Sequence, residues 1–438
     1  MSKMSKKILV LAITSCIASP IAQATNGMFL IGNGNKSQGM GGTGIALQLD
    51  SLSGATNPAT LAGMGNRFDI GMDLFYVNAE SQLGSVSDES IASVNAFHTD
   101  KLFMMPAMAI SYEYSSDITL GFSMAPTGGG GTVFTTNFFE AAAAGSVNTP
   151  FINDKLGVDL IIMEMNPTIS YNVNDKNNVG ASLVLSVSRF SAYGLKLFDP
   201  FTSTLGSLEG FSNQGKDWTW GAGIRLGWLG TYDNFTLGAV YTSRVYQDEF
   251  NHYTELFAEQ GDLDIPAILG VGASYKAMPD LLLAMDITYT FYEDVKAIGN
   301  AGPNLPDNPD GPLGSQDRTL GLDDGLGFGW DNQAVIKVGA EYTLSNKWTL
   351  RSGWNYGKSP IDENEDIIFN LLAPASTQHH LTFGGTYNLA SNMEINFSYV
   401  HAFKFEQSGP TYISDDGTNS GSLSMSQDSL GGSFSYKF

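Results

Sequence analysis

Apolar and polar side chains alternate along most of the chain after residue 66. The stretches DWTWGAGIRLGW, residues 217–228, and NQAVIKVGAEYTL, residues 332–344, show the pattern clearly. A period of two puts one apolar face and one small or polar face on each segment, as in a β-strand. The pattern predicts fourteen strands, near residues 67–80, 103–115, 117–127, 161–173, 177–194, 216–231, 233–249, 263–277, 279–296, 328–344, 347–359, 376–389, 392–407 and 422–438.

The connections between these strands alternate in length. Every second connection is a tight turn with Asn, Asp or Pro chemistry, and the others are long, the largest near residues 128–160 and 297–327. A soluble β-sandwich would share the side-chain alternation. An even strand count with alternating short and long connections is instead typical of an outer-membrane barrel with periplasmic turns and external loops. The sequence therefore predicts an all-β fold, a 14-stranded antiparallel transmembrane β-barrel.

Strand length and aromatic placement agree with a barrel. Many predicted strands exceed ten residues, which is long enough to cross a bilayer at a steep tilt. The chain ends in an alternating aromatic run of Phe434, Tyr436 and Phe438 that resembles the recognition signal of barrel precursors, so we expect the barrel-assembly machinery as a partner. Aromatic girdles at the membrane interfaces are expected from residues near strand ends: Tyr76, Tyr171, Trp218, Trp228, Trp348 and Trp354.

The first 24 residues have the pattern of a secretory signal peptide. Three lysines precede a mainly apolar core at residues 8–17, which is too short to span a bilayer, and Ala22-Gln23-Ala24 supplies a cleavage site. A lipoprotein cleavage box ending at Cys16 is the alternative, but its apolar core of about six residues would be shorter than usual. We expect the mature chain to begin at Thr25.

Composition narrows the function further. A formal net charge of −22 repels nucleic acid. Cys16 is the single cysteine and would leave with the signal peptide, which excludes cysteine-based metal sites and thiol catalysis. The mature chain has no run of about twenty apolar residues, so a helical membrane span is not expected. The 50 glycines and the 11% of aromatic residues suit extended β-structure.

The sequence gives little support for catalysis or metal binding. Its five histidines are scattered, and no Gly-His-x-Ser-like stretch offers the Ser–His pair of an outer-membrane phospholipase. His379 and His380 are neighbours on a predicted strand, so their side chains should point to opposite faces. Acidic residues in long loops, such as Asp307 and Asp415, lack EF-hand spacing and are expected to be solvated, or bridged to lipopolysaccharide by divalent cations. We expect no enzyme activity, no cofactor and no metal.

Residues 25–66 do not fit a strand. The segment is rich in Gly, Asn and Ser, yet it carries more apolar residues than a disordered tail would. Fourteen strands enclose a lumen too wide for wall side chains to fill, so we expect this segment to form a plug, or hatch, inside it. The predicted organisation is a signal peptide at 1–24, a hatch at 25–66 and a barrel at 67–438.

Gly39, Gly41 and Gly44 in this segment match G-x-G-x-x-G, the fingerprint of a dinucleotide site. Such a site needs a strand before the glycines and a helix after them. The preceding residues read as a loop, and Gly54 and Pro58 would interrupt a helix. We therefore interpret the glycines as flexible backbone of the hatch.

The same segment resembles the amino terminus of FadL-type long-chain fatty acid transporters, and most closely the branch that includes toluene and other hydrocarbon channels. Asn57-Pro58-Ala59 is the most specific mark of the family, and we expect these residues to act in the hatch and its gating. The resemblance covers essentially the whole mature chain. Its other residues are Asn26-Gly27, Lys36-Ser37, Gly39, Gly41-Gly42, Gly44, Ala46, Gly128 to Gly131, residues 156–159, Arg189-Phe190 and residues 350–361.

The resemblance implies a route for the ligand. Long loops at about 128–160 and 195–215 would collect it, and a pocket above the hatch would receive it with help from Met28, Phe29 and Leu30. An inward kink in the third strand, near Met124 to Gly131, would then release it sideways into the outer leaflet. The run Gly128, Gly129, Gly130 and Gly131 is a poor strand and a good place to break a ladder of hydrogen bonds.

Two further sets of residues each have two interpretations. Phe134, Phe138 and Phe139 either line the ligand groove or belong to an ordinary lid helix packed on the barrel rim. Charged residues with lumen-facing parity either form ion pairs that brace hatch and wall, or provide Lys337 or Arg351 as the receptor of a fatty-acid carboxylate. These lumen-facing residues are Arg225, Lys337, Arg351, Asp69, Asp73, Asp286, Glu341 and Glu394.

The sequence therefore predicts a passive outer-membrane channel for hydrophobic molecules, either long-chain fatty acids or hydrocarbons. The expected partners are such molecules, membrane lipid and lipopolysaccharide, with no nucleic acid, and a monomer is expected. One alternative is a surface barrel that serves as an adhesin or phage receptor. Another is a hydrophilic diffusion porin, which would need an open lumen with opposed charged rings.

Overall fold

The computed structural model of the chain describes residues 26–83, 94–97, 102–134, 136–139, 155–196, 198, 202, 209–302, 319–362, 367–411 and 420–438. The predicted signal peptide, the alanines at 141–144 that follow the predicted groove phenylalanines, and the acidic loop residues near 307–317 and 415–416 lie outside these ranges. Among the described residues, no helix is long and apolar enough to cross a membrane.

The strands of the described chain form one antiparallel sheet that closes on itself. Its last strand pairs with its first, from Arg67 opposite Lys437 to Leu83 opposite Gly421. The fourteen-stranded barrel predicted from the sequence is thereby confirmed. The strands are β1 (Arg67–Leu83), β2 (Val94–Phe97), β3 (Leu102–Glu113), β4 (Ile118–Phe134), β5 (Leu156–Asn174), β6 (Asn177–Tyr193), β7 (Asp217–Tyr232), β8 (Phe235–Thr242), β9 (Tyr246–Gln247), β10 (Ile268–Met278), β11 (Leu281–Thr290), β12 (Gln333–Thr343), β13 (Trp348–Gly357), β14 (His379–Ala390), β15 (Met393–Pro410) and β16 (Ser420–Lys437).

Two of these strands are accessory to the fourteen-stranded wall. β2 pairs with β1 only at Glu80–Leu83, and β9 pairs with β7 only at Gly221 and Ala222. The six connections predicted as tight turns join β3 to β4, β5 to β6, β7 to β8, β10 to β11, β12 to β13 and β14 to β15. We call the end of the barrel with these turns the turn end and the opposite end the loop end.

Alternate residues of the wall face opposite environments. On β1, Ile70, Met72, Leu74 and Tyr76 are 38–44% exposed on the outer face. Residues of the other parity, such as Asp69, are buried inside. An apolar outer face with polar or small residues inside is the arrangement that a lipid environment requires of a barrel.

β4 is longer than the sequence predicted. Its expected end at residue 127 is wrong, because the strand continues through the glycine run to Phe134. The ladder with β5 persists through Gly128–Gly131, with one irregularity between Pro126 and Gly128. The ladder with β3 stops at the pair Met108 and Met124. The glycine run therefore does not break the β5 ladder, and the two strands that separate are β3 and β4.

The remaining regular elements are short. Residues 26–66 hold helix α1 (Gly34–Gln38) and the 3-10 helices Ser51–Ala55 and Pro58–Leu61. At the loop end lie α2 (Ala258–Gly261), a single turn whose two central residues are left-handed, the 3-10 helix Tyr292–Asp294 and α3 (Lys296–Gly299).

Candidate functional site

Residues 26–66, called here the amino-terminal segment, pack against the inner face of the wall. Ideal Cβ atoms on Gly39 and Gly41 would lie 3.0 Å from the Cα of Gly384 and 2.7 Å from the carbonyl oxygen of Trp354. Gly41 also has a φ of +71°. Gly39 and Gly41 of the apparent dinucleotide fingerprint thus serve close approach to the wall strands.

Carboxylates of the wall accept hydrogen bonds from this segment. Asp286 accepts from the backbone nitrogens of Gly44 and Ile45 at 2.7 and 3.0 Å. Asp73 accepts from the side-chain amides of Asn35 and Gln38 at 2.7 and 3.0 Å. The wall carboxylates thus accept hydrogen bonds from donors of the amino-terminal segment that would otherwise be buried without partners.

Ion pairs add to this attachment near the turn end. Glu394 lies 2.7 Å from Lys36 of the segment, 3.0 Å from Arg67 and 3.0 Å from Lys437. Arg67 also pairs with Asp69 at 2.9 Å. The structure therefore contains ion pairs of the kind that the bracing interpretation required.

Asn57 connects three parts of the chain. Its side-chain amide donates to the carbonyl oxygens of Ile45 at 2.7 Å and of Trp228, on the wall, at 3.1 Å. Its side-chain oxygen accepts from the backbone nitrogen of Ala59 at 3.0 Å and so caps the 3-10 helix that begins at Pro58. Asn57, Pro58 and Ala59 thus fix the course of the segment along the wall.

The first described residues of the segment occupy the edge of β4 that β3 leaves. The backbone nitrogen of Gly129 donates to the carbonyl oxygen of Met28 at 2.9 Å, and that of Leu30 donates to the carbonyl oxygen of Thr127 at 3.1 Å. A Cβ atom on Gly128 would lie 2.7 Å from the Met28 oxygen. Glycine at position 128 therefore permits this contact.

Tyr292 holds the same residues from the other side. Its hydroxyl donates to the carbonyl oxygen of Asn26 at 2.9 Å and accepts from the backbone nitrogen of Met28 at 3.3 Å. Its ring stacks on Phe29 and meets Trp330 edge-on, at centroid distances of 6.1 and 5.2 Å. Burial raises the pKa of the Tyr292 hydroxyl, so the group remains a neutral donor.

An apolar cavity, called here the inner cavity, lies beside this contact. It holds about 730 Å³ of space between protein atoms, part of it open to solvent. Met28 and the backbone of Gly129–Gly131 form one side of it, and none of the described residues that line it is ionisable. The rest of its lining is Val77, Ala79, Thr132, Val158, Leu160, Phe257, Leu263, Ile298, Phe328, Trp330, Ala373, Pro374, Ala375 and Met425.

A second apolar cavity, the outer cavity, shares three lining residues with the first: Val158, Phe257 and Phe328. Its remaining lining includes Phe198 and Leu320 from the long loops. The two cavities therefore adjoin, and the shared side chains separate them.

The three predicted groove phenylalanines have a different position. Phe134, Phe138 and Phe139 are fully buried and line neither apolar cavity in the described structure. They form an aromatic stack in which Phe139 meets Phe198 at 4.9 Å. The packing interpretation suits these side chains better, although most of the predicted lid lies outside the described residues.

A third cavity is polar and lies on the opposite side of residues 26–30. Phe29, Leu30, Asp286 and Lys337 line it, together with the ion pair of Glu164 and Arg225. The amine of Lys337 donates to the carbonyl oxygen of Ile31 at 2.8 Å. The structure thus separates Met28 from Phe29 and Leu30, which were predicted to act together in one pocket.

Arg351 is committed to other partners. It lies 2.6 Å from Glu341 and donates to the hydroxyl of Thr386 at 2.7 Å. His379 is exposed and His380 is buried, so this pair does face opposite sides of the wall as predicted. In the described residues, no group of three or more His, Cys, Asp or Glu side chains is placed to hold a metal ion.

Several residues of the site were not predicted from the sequence. Leu263, Tyr292 and Trp330 lie within the predicted strands 263–277, 279–296 and 328–344, but these predictions were too long: the observed strands begin at Ile268, end at Thr290 and begin at Gln333. The three residues therefore belong to connections at the loop end, as Phe257 does. Their aromatic or aliphatic character is a weak signal, because the surrounding loops hold many similar residues. The path of each loop brings them together.

A closed barrel with an apolar outer face, an amino-terminal segment packed against its inner face and apolar cavities at its loop end has the architecture of an outer-membrane transport channel. Residues 15–438 match the model of the family described as outer membrane protein transport protein (OMPP1/FadL/TodX), and the chain belongs to this family. Its members are transport channels of the outer membrane and not enzymes. The family resemblance read from the sequence is confirmed.

Solved structures share the fold at low sequence identity. The toluene transporter TodX of P. putida is 20% identical, with a TM-score of 0.68, 93% of this chain covered and 99% of that chain. The toluene transporter TbuX of Ralstonia pickettii is 18% identical, with a TM-score of 0.61 and the same coverage. A FadL homologue of Pseudomonas aeruginosa is 14% identical, with a TM-score of 0.64, 96% of this chain covered and 100% of that chain.

A curated relative matches over a shorter length. The outer membrane protein NMB0088 of Neisseria meningitidis serogroup B is 22% identical over 248 residues. The match covers 50% of this chain and 51% of the relative, so the chain spans about half the length of the curated relative it matches.

Proposed function

We propose that the protein is a passive channel that carries hydrophobic molecules through the outer membrane. The observation that carries this proposal is the inner cavity, whose described lining is apolar and lies where β3 and β4 separate. Apolar surface gains roughly 25 cal/mol per Å² when it leaves water for such a lining. The toluene transporters among the structural relatives support the same ligand class.

The proposed route begins at the outer cavity and passes the shared side chains into the inner cavity. It ends beside β4, beyond the point where the ladder with β3 stops at Met124. Residues 28–30, which bond to Thr127 and Gly129 there, must move aside for the ligand to leave. Gly129–Gly131 border this end of the cavity without side chains. Release sideways into the outer leaflet would spare an apolar ligand contact with water, while residues 26–66 act as the hatch across the lumen.

The lining of the inner cavity favours an uncharged ligand, or the hydrocarbon part of an amphiphile. Its polar side-chain groups already have partners: the indole nitrogen of Trp330 donates to Asn370 at 2.7 Å, and the hydroxyl of Thr132 donates to the carbonyl oxygen of Leu372. An ionised carboxylate would be buried there without a counter-charge, which is costly.

A fatty-acid carboxylate remains a second candidate because of Lys337. Its amine donates to the carbonyl oxygen of Ile31 and faces the polar cavity. We propose Lys337, rather than Arg351, as the residue that would receive such a group. Uptake of oleate that falls in a Lys337→Met variant, with toluene uptake unchanged, would support this assignment.

The primary test measures uptake of radiolabelled toluene and oleate by cells that lack the gene, with and without the restored protein. Restoration of either uptake supports a channel for hydrophobic molecules. Unchanged uptake of both compounds would overturn it and leave the surface-receptor alternative. Restored uptake of small hydrophilic sugars instead would indicate a diffusion porin. Mass spectrometry of lipid bound to the purified protein would identify the ligand class directly.

A further inference from the structure

Residues 257–264, called here the partition segment, stand between the two apolar cavities. Phe257 lines both cavities, and Leu263 lines the inner one. Both side chains are buried, with 4% and 5% exposure. A ligand that follows the proposed route must therefore pass this segment, so its position decides whether the two cavities communicate.

The backbone of the partition segment is held in an unfavourable conformation. Glu259 and Gln260 are consecutive non-glycine residues, and each has a φ of +56°. Such left-handed residues persist only where their surroundings hold them in place. Their backbone nitrogens donate to the carbonyl oxygens of Leu322 at 3.0 Å and Gly321 at 2.8 Å. The segment is therefore strained and would relax if its other attachments were lost.

Those other attachments include a pair of carboxyl groups. Asp262 and Asp264 flank Leu263, and Oδ1 of Asp262 is buried without a donor partner among the described residues. The pKa of Asp262 is raised by burial, by the charge of Asp264 and by a hydrogen bond between the two carboxyl groups. Asp264 is 2% exposed and accepts from the backbone nitrogen of Gln247 at 2.7 Å. The link from Asp262 to Asp264 thus connects the strained turn to a residue that is anchored beside the wall.

Carboxylates outnumber cations around Asp262 and Asp264. Arg244 lies 3.4 Å from Asp264, and Lys296 lies 2.9 Å from the third carboxylate, Glu259. The charged groups acting on Asp262 are Asp264, Glu259 and Arg244. Two carboxylates in one site do not both ionise readily, so the pair holds one proton in acidic medium. Burial, and next the charge of Asp264, raise the pKa of Asp262 from 3.8 to about 7.

We propose that the proton shared by Asp262 and Asp264 holds the partition segment closed between the outer and inner cavities, so that external pH regulates passage of the ligand. When the proton is lost, the two carboxylates repel each other and the strained turn at Glu259 and Gln260 moves away from the cavity. This inference rests on the proposed function, because it assigns a regulator to the same route.

The direction of the pH effect follows from the raised pKa of Asp262. The pKa of Asp262 is raised in the closed arrangement, so the proton stabilises that arrangement fully below about pH 4. This stabilisation is lost as the pH rises through about 7. The closed form should therefore predominate in mildly acidic medium, and the open form should gain population towards pH 8.

The test uses the full barrel in lipid nanodiscs and measures hydrogen–deuterium exchange of residues 257–264 between pH 5 and pH 8, corrected for the intrinsic exchange rate. We expect the protection factor of the wild type to fall about tenfold or more over this range, since one unit of pKa shift is a factor of ten in an equilibrium. In Asp262→Asn, the amide remains a donor to Asp264 at every pH, so protection should stay high and flat.

Two further variants keep the result interpretable. Glu249→Gln removes an exposed carboxylate from the same long loop and should behave as the wild type. Asp264→Asn removes the neighbouring charge while Asp262 stays buried, so the transition should move to lower pH. A pH response that persists in Asp262→Asn, or a wild type without one, would overturn the proposal.

A parallel measurement separates this inference from the function on which it rests. The neutral fluorophore N-phenyl-1-naphthylamine is added to the same nanodiscs, with empty nanodiscs as the blank. Faster association at pH 8 than at pH 5 in the wild type, abolished in Asp262→Asn, supports the regulated route. Absence of protein-dependent binding at every pH would contradict the proposed function, even where the exchange experiment shows a proton-linked segment.

Discussion

The hydroxyl of Tyr292 donates a hydrogen bond to the carbonyl oxygen of Asn26 across 266 positions of sequence. The same hydroxyl accepts from Met28, and the Tyr292 ring packs on Trp330, which lines the inner cavity. One loop residue thus connects the start of the amino-terminal segment to the proposed ligand site.

Replacing Tyr292 with phenylalanine should loosen residues 26–30 but keep an aromatic ring in the same place. In Tyr292→Phe, the ring remains while two buried partners lose their hydrogen bond, at a cost of about 1–3 kcal/mol. We expect faster hydrogen exchange at residues 26–30 and lower uptake of apolar ligand. Tyr289→Phe, at a ring that is 39% exposed on the outer face, is the control and should change neither quantity.

The close contact at Gly128 predicts sensitivity to a single methyl group. Gly128→Ala would place its Cβ atom 2.7 Å from the carbonyl oxygen of Met28, so the two backbones must separate. We expect weaker binding of an apolar fluorophore, by several-fold, in a barrel that still migrates as folded on a heat-modifiability gel. Gly432→Ala, whose Cβ atom would have its nearest neighbour at 4.0 Å, should bind as the wild type does. Equal loss in both variants would contradict the prediction.

Asn57 allows its helix-capping role to be separated from its attachment to the wall. Asn57→Asp keeps the acceptor for Ala59 but puts a carboxylate against the carbonyl oxygens of Ile45 and Trp228. Asn57→Ala loses all three bonds, at a cost of about 2–3 kcal/mol. We expect both variants to raise the conductance of the barrel in planar bilayers. A normal conductance for Asn57→Asp would show that capping alone is required.

The ion pairs of Glu394 predict a strong effect on stability. In Glu394→Gln, the buried amine of Lys36 loses its counter-charge, which costs about 3–5 kcal/mol. Urea unfolding in detergent micelles should therefore begin at a lower concentration. The double variant Lys36→Met with Glu394→Gln should recover part of this loss, because no buried cation then lacks a partner. Glu80→Gln, which breaks the exposed pair with Lys404, should cost about 0–1 kcal/mol.

The wall was predictable from the sequence because each strand carries its own period of two. β4 is a strand whose end the local sequence did not predict. Four glycines are a poor strand in isolation, yet β5 and residues 28–30 supply the hydrogen bonds that extend the strand to Phe134. Tertiary contacts thus override a weak local preference.

The site was only partly predictable. Parity along β12 placed Lys337 inside the barrel, and the family resemblance drew attention to Met28. The side-chain pattern extended the predicted strands over Tyr292, Trp330 and Leu263, whereas the folded chain places all three in connections at the loop end, whose paths bring them together. From the sequence, Met28 could not be distinguished from its neighbours Phe29 and Leu30. In the folded chain, Met28 lines the inner cavity, whereas Phe29 and Leu30 line the polar cavity.

The pairing of β1 with β16 also constrains the order of assembly. This ladder joins positions as far apart as Arg67 and Lys437, so it is the contact with the greatest sequence separation in the wall and is expected to form slowly. Asp73 of β1 and Glu394 of β15 already bind residues 35–38 from within, on either side of the closing strand. We therefore expect enclosure of that segment and closure of the seam to occur in one kinetic step, with the enclosed chain as the template on which the two edges meet.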